Sequence, residues 1–317
     1  MDYSSIRWDR NIDNPTPFNN ATKKMLDNTE AALNCKITPM TTLGPGDIIT
    51  AAQPEIMAGG KYADLIVTTQ WAWGSFIGAG LAQNFNLMPC NWDAPWWNQN
   101  LRNTITVNGK TYAAGGSFLS DSGLIWVLYY NGTIWNQLNL PDPYRLVDSG
   151  KWTIDRFAQY ARMATQDVNN DGIMDLNDQW GLLAPDGDFC QAIFLSGGNH
   201  YFSTQNGSLQ LAYGNQNTYD FVAKMRNMIK VDKSMFTGTV PSSYNTGSSG
   251  FWYANAFIAG KSLFMGCSPG MTGLTDMTDD WGILPMPKAS ESQADLYGGR
   301  GSQCRCLRCH HHQSRPG

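Results

Sequence analysis

Residues 123–131, GLIWVLYYN, are a continuous apolar run of strand length, and residues 152–166, WTIDRFAQYARMATQ, carry apolar side chains at helical spacing. The first reads as a buried strand. The second reads as a helix capped by Thr153, with Phe157, Tyr160, Ala161 and Ala164 on one face. Similar signals alternate along the chain. Residues 17–33 have helical spacing, NCKITPMTT (34–42) reads as a strand, and KYADLIVTTQ (61–70) as a second strand ending at Trp71 and Trp73. VNGKTYAAGG (107–116) is an Asn-Gly turn, a short strand and a glycine pair suited to a crossing between lobes. QWGLLA (179–184), GKSLFMG (260–266) and DDWGILPMPK (279–288) read as strands, with a turn at Asn206–Gly207 and a helix over about 217–229 between them. This is the rhythm of an α/β protein, in which ligands sit at the carboxyl ends of strands. The sequence shows no internal repeat.

A chain of 317 residues holds two domains or one large one, and a 42% apolar content makes it globular. The formal net charge is −4 with only 15% charged residues, which argues against a nucleic-acid surface because phosphate binding needs concentrated lysine and arginine. Twelve tryptophans and thirteen tyrosines in so weakly charged a chain suggest flat apolar platforms beside hydroxyl and amide donors, the surfaces that read sugars. Most of these rings are expected in the core. No apolar run is long enough to span a membrane, and MDYSSIRWDR has neither the basic nor the apolar part of a signal peptide. Either the protein is cytoplasmic or this chain is written without its leader. Cys35, Cys90, Cys190 and Cys267 are scattered singly, unlike a disulfide framework or a zinc site.

DVNNDGIMDLND, Asp167 to Asp178, has the spacing of a calcium loop. Asp167, Asn169, Asp171, the Ile173 carbonyl, Asp175 and Asp178 fall where a twelve-residue EF-hand loop presents oxygens, and Gly172 takes the sixth position, where the chain turns sharply. Asp178 stands in place of the usual glutamate, so its shorter arm weakens bidentate ligation. The loop occurs once, and QWGLLA follows it where a paired hand would have a helix. Calcium is therefore expected as a structural pin between helix and strand.

Other motifs carry less. GCSPG (266–270) matches the Gly-x-Ser-x-Gly elbow of serine hydrolases, but the residue after Ser268 is Pro269, which lacks the N–H that the oxyanion hole uses. His200 lies upstream of it, in the wrong order for that fold. A glycosidase needs two carboxylates at a set separation, and nothing in the sequence pairs Asp64, Asp93 and Asp121. From residue 300 the pattern breaks. Cys304, Cys306, Cys309 and His310 to His312 are zinc-ligand types, but they crowd into a few residues with no second pair across a loop, so 300–317 reads as a disordered or foreign tail.

YYNGTIWNQLNLPDPYRLVDSGKWTIDRFAQYARMATQDVNNDGIMDLNDQWGL resembles the middle of the bacterial extracellular solute-binding proteins of family 1, the sugar-type, maltose-binding-protein-like receptors of ABC importers. NGKTYAAGG, FIAGKSLFMG and DDWGILPMPK fit that family's other landmarks in order, so that the resemblance covers roughly residues 20–298. It implies a two-lobe, type II periplasmic-binding-protein-like α/β fold, each lobe a mixed sheet flanked by helices. The lobes would be 1–115 and 116–277, the second holding the loop 167–178, with 278–299 crossing back to the first. It also implies a chain truncated at both ends, without the family's closing helices.

The function implied is that of a monomeric, non-enzymatic receptor, extracellular as a lipoprotein or periplasmic, which binds a sugar or oligosaccharide between its lobes and delivers it to a membrane permease. By position, Trp71, Trp73, Ser120, Asp121, Asn199, Trp252, Tyr253 and Ser268 would face the ligand. Two other functions fit the residues: a carboxylate-based glycoside hydrolase, and a calcium-dependent carbohydrate-binding or adhesion module.

Overall fold

The computed structural model describes residues 17–38, 40, 45–68, 70–106, 108–116, 125–205, 208–246, 251–269, 273–294, 297–298 and 302–303. The chain divides into two compact units, Met1–Asp121 and Ser122–Gly317.

The first unit contains helices α1 (Pro17–Leu33), α2 (Pro45–Met57), α3 (Gln70–Gly78) and α4 (Gln99–Ile105). The helix read at 17–33 is present. The strands read at 34–42 and 61–70 are absent among the described residues, and Gln70 opens a helix instead. A strand exists only by pairing its backbone N–H and C=O groups. The run around Leu65 and Val67 has no paired neighbour among the described residues, and both side chains are exposed. The Asn-Gly turn is present, with Asn108 at φ 51° and Gly109 at φ 71°, the left-handed pair of a tight hairpin turn.

The second unit is organised by a four-stranded sheet in the order β2-β5-β1-β6, formed by β1 (Val127–Asn131), β2 (Trp180–Leu183), β5 (Ser262–Cys267) and β6 (Trp281–Pro285). β2 and β5 run parallel, and β1 is antiparallel to both its neighbours. Of the stretch read as crossing between lobes, Trp281–Pro285 pairs with β1 inside this unit. A separate hairpin joins β3 (Phe202–Gln205) to β4 (Ser208–Leu211), and the turn read at Asn206–Gly207 lies outside the described residues. β7 (Tyr297–Gly298) and β8 (Ser302–Gln303) form a small ribbon. The helices are α5 (Gly132–Gln137), α6 (Pro143–Asp148), α7 (Ile154–Ala164), α8 (Asp186–Ser196), α9 (Gln216–Arg226) and α10 (Trp252–Ile258).

The strand residues are divided between two cores. Leu128, Leu182, Phe264 and Leu284 join one cluster with Trp135, Trp152, Phe157 and Phe189, while Tyr129, Leu183, Met265 and Cys267 join another with Phe236, Tyr253 and Phe257. Both faces are covered, so these strands show no polar alternation in sequence. Three indoles buried there have carbonyl partners: Trp135 Nε1 donates to Pro141 O, Trp152 Nε1 to Pro285 O and Trp180 Nε1 to Asp175 O.

α7 begins where the sequence places it. Thr153 Oγ1 accepts from the Arg156 N–H at 3.3 Å, and Ile154, Phe157, Tyr160, Ala161 and Ala164 are buried. Its seat on β2 is unusually close, because a Cβ built at Gly181 would lie 2.2 Å from the Ala161 carbonyl oxygen. Helix backbone cannot move aside like a side-chain tip. Gly181→Ala is therefore expected to destabilise the second unit by about 2 kcal/mol or more, as overpacking does. The midpoint of urea denaturation measures it, and a midpoint equal to that of the parent chain would refute the close seat.

Candidate ligand-binding site

In the second unit the parallel strands β2 and β5 end on the same edge of the sheet, beside the start of β1 and the end of β6, since Val127 pairs with both Cys267 and Pro285. α10 reaches that edge through its first turn. Cys267 Sγ donates to Tyr253 Oη at 3.7 Å, and Trp252 packs on Phe236 and Tyr253 with ring centroids 5.4 and 5.6 Å apart. Phe251 stacks on Tyr253 at 5.4 Å.

Burial pushes the Cys267 thiol from its ordinary 9.0 up to about 11, against smaller opposing pulls from Tyr253 and the Ser268 backbone N–H. The thiol is therefore neutral at physiological pH, and inert rather than nucleophilic. Ser268, the next residue, is 1% exposed, and its hydroxyl has no hydrogen-bond partner. At this edge the thiol of Cys267, the phenol of Tyr253 and the unsatisfied hydroxyl of Ser268 are buried, under the half-buried rings of Phe251 and Trp252.

Of the residues proposed from sequence, Trp252, Tyr253 and Ser268 come together here. Asn199 is buried but tied to α8, its Nδ2 donating to Phe194 O at 3.3 Å. Trp71 and Trp73 are in the first turn of α3 and not at a strand end; Trp73 is half-buried, and the Trp71 side chain is outside the described residues. Ser120 and Asp121 also lie outside them. The carboxylates weighed for hydrolysis are placed apart: Asp64 is exposed beside Lys61, and Asp93 is exposed and bonded to Arg102 at 2.7 Å.

The 167–178 loop is closed by its own side chains. Asp167 accepts from the N–H groups of Asn170 (2.7 Å) and Gly172 (2.9 Å), Asp171 from Ile173 (2.7 Å), and Asp175 from Asn177 (2.6 Å). Asp178, fully buried, accepts from Val168 (3.1 Å) and Asp175 (3.0 Å). Asn170 and Gly172 adopt the left-handed backbone that the turns require. The oxygen donors suit a hard cation. In this geometry, however, the carboxylates are turned onto backbone N–H groups, and among the described residues no three His, Cys, Asp or Glu side chains gather at one point.

The first unit holds a feature that sequence reasoning missed. Trp92 stacks on Phe85 (5.5 Å) and meets Trp97 at a tilt (4.7 Å) beside a small pocket of about 10 Å³ lined by Asn86, Asn98, Arg102 and Thr111. Trp92 Nε1 and Thr68 Oγ1 are buried without partners. The signal was the tryptophan density of NWDAPWW at 91–97. A second, open pocket of about 330 Å³ lies between Thr153, Asp155, Arg156, Gln159, Ser290 and Glu291. Neither pocket contains a residue proposed from sequence.

No family model matches the chain, and no curated protein matches it. Solved structures do. The chain is similar to the ABC substrate-binding protein Lmo0181 from Listeria monocytogenes in complex with cycloalternan, at 13% identity and a TM-score of 0.51, over 84% of this chain and 63% of that one. It is similar to UgpB from Mycobacterium tuberculosis in complex with glycerophosphocholine, at 17% identity and 0.55, over 84% and 64%. It is similar to the maltose/maltodextrin-binding domain MalE from Bdellovibrio bacteriovorus bound to maltotriose, at 16% identity and 0.53, over 84% and 62%. The chain therefore spans less than two thirds of the length of these proteins. At such identities the likeness establishes the fold: the two-lobe, periplasmic-binding-protein-like α/β fold of ABC-importer substrate-binding proteins.

Two buried serines separate a hydroxyl held for structure from one that is not. Ser196 Oγ bonds Ile193 O and Pro287 O, whereas Ser268 Oγ bonds nothing. Ser196→Ala should lower stability by about 1–2 kcal/mol, while Ser268→Ala should leave it unchanged or raise it. Calorimetric melting of both variants checks this, and an equal loss at both positions would show that Ser268 is structural.

Proposed function

We propose that this chain is the solute-binding receptor of an ABC importer, working without bond chemistry outside the cytoplasm, and that it takes a neutral sugar or oligosaccharide and passes it to a membrane permease. The observation that carries the reading is the uncharged, aromatic strand edge of Trp252, Tyr253 and Ser268 on a fold used for substrate binding. A phosphate-bearing ligand, as in the glycerophosphocholine complex of UgpB, would call for a cation or several convergent N–H groups. The described residues of this edge supply no cation. A pyranose instead offers an apolar face to a ring and hydroxyls to Ser268 and the Tyr253 phenol. The receptor is read as a monomer.

Isothermal titration against neutral oligosaccharides, with glycerophosphocholine and inorganic phosphate as charged comparisons, tests this. A neutral oligosaccharide is expected to bind with a Kd of about 1 μM, near −8 kcal/mol. Binding of only the charged ligands, or turnover of a glycoside, would overturn it.

Calcium at 167–178 is proposed as a structural pin, supported by the spacing of the oxygen donors and the left-handed Asn170 and Gly172. The ion would be held by Asp167, Asn169, Asp171, the Ile173 carbonyl, Asp175 and Asp178. It would have to draw Asp171 and Asp175 from the N–H groups they now cap. At a hundredfold excess over its Kd, calcium should add about 2.7 kcal/mol, or about 5 °C in Tm, reversed by chelator. Ligand affinity should move less than Tm does. A Tm indifferent to millimolar calcium, or an affinity that collapses while Tm holds, would refute the pin.

A further inference from the structure

α10 carries Trp252 and Tyr253 in a helix of only seven residues, and Phe251 at its N-cap makes no side-chain hydrogen bond. So short a helix without a side-chain cap is placed by tertiary contacts. One of these comes from Tyr244, in the short 3-10 helix Ser242–Thr246 that precedes α10 in the chain. Asn255 follows Trp252 by three residues, on the same face of α10, and its Nδ2 donates to Tyr244 O at 2.7 Å. The side chain of Tyr244 is fastened elsewhere: its Oη donates to Leu176 O, in the 167–178 loop, at 3.3 Å. One residue thereby joins α10 to that loop.

Packing follows the same line. Leu176 is buried in one cluster with Tyr253, Phe257 and Cys267, and Tyr244 packs against that cluster. Within the loop, Asp167 accepts from the Gly172 N–H and Asp178 from the Asp175 N–H, so Leu176 O belongs to a segment with a shape of its own. A second path runs beside the first: Trp180 Nε1 donates to Asp175 O, the Trp180 ring meets Phe236 at 5.2 Å, and Phe236 meets Trp252 at 5.4 Å. That path keeps the rings packed, so loss of the Tyr244 hydroxyl should loosen the edge and not unfold it. We propose that Tyr244 is a positioning residue, which fastens α10 to the 167–178 loop and so sets Trp252 and Tyr253 for the ligand. Its effect on affinity rests on the receptor reading; its effect on the edge itself does not.

Tyr244→Phe removes the hydroxyl and leaves the ring. Isothermal titration of the full chain against neutral oligosaccharides, with chelator present so that protein groups alone hold the loop, should show affinity about fivefold weaker than the parent's, the ratio that one ordinary hydrogen bond carries. Alkylation of Cys267 by iodoacetamide, followed by peptide mass, reads the edge without a ligand. This thiol is buried against Tyr253, and its rate should rise by about fivefold as the edge opens locally. Asn255→Ala cuts the same connection and serves in its place if Tyr244→Phe does not fold; the double variant should do no more than the stronger single one. Ser196→Ala, whose lost hydroxyl bonds Ile193 O and Pro287 O, should lower stability without moving either readout. A Tyr244→Phe chain with the parent's affinity or the parent's Cys267 rate overturns the proposal, as do equal changes in Ser196→Ala or additive losses in the double variant. If the parent binds none of the oligosaccharides, the receptor reading fails and the Cys267 rates alone decide.

Discussion

The seat of α7 on β2 is the contact on which the second unit is built. With only a hydrogen at Gly181, the helix backbone at Ala161 comes to within van der Waals reach of the strand, and Thr165 Oγ1 can accept the Gly181 N–H at 3.0 Å. That distance fixes where Phe157 meets Phe264 (5.0 Å), and Phe264 in turn meets Trp135 and Trp152. Gly266 repeats the device one strand over, since a Cβ there would lie 2.2 Å from the Phe189 ring of α8. Two glycines in adjacent parallel strands thus each admit a close helix contact, and the aromatic core fills the space the helices leave.

Much of this was legible in sequence because it is local or has a period. The Thr153 cap, the apolar face of α7 and the uninterrupted apolar strands each follow from a rule about neighbouring residues. What was not legible depends on partners distant in the chain. KYADLIVTTQ has the composition of a strand, but composition does not supply a neighbour to pair with, and the chain enters α3 at Gln70. Trp71 and Trp73 therefore sit on a helix and not at a strand end. Asn199 illustrates the same limit for the site. Its polar side chain was visible, but not that the carbonyl of Phe194 would take its amide.

The acidic loop shows how one pattern can serve two purposes. The Asp and Asn spacing that suits a cation also suits Asx turns, because a short carboxylate reaches the N–H two or three residues ahead. Asp167, Asp171 and Asp175 all do this. Neighbours then pin the loop from outside: Trp180 Nε1 donates to Asp175 O, Tyr244 Oη to Leu176 O and Lys261 Nζ to Asn177 O. The loop thereby has a defined shape from protein groups alone, and an ion would add to an order that is already present.

The strand edge and the loop differ in how completely they use their polar groups. In the loop every aspartate has a backbone donor, and in the core the indoles of Trp135, Trp152 and Trp180 each have a carbonyl. Against that background, a hydroxyl fully buried at the end of β5 with no partner is an uncompensated cost, of about 1–3 kcal/mol by the usual penalty for a buried unsatisfied group. Serine at 268 gives the fold nothing that alanine would not. A residue that costs stability and sits beside Tyr253 and Trp252, at the carboxyl ends of parallel strands, is accounted for if a ligand hydroxyl completes its hydrogen bond. The serine in GCSPG is thus proposed as a hydrogen-bonding group, and Pro269 after it lacks the N–H that a hydrolase oxyanion hole would use.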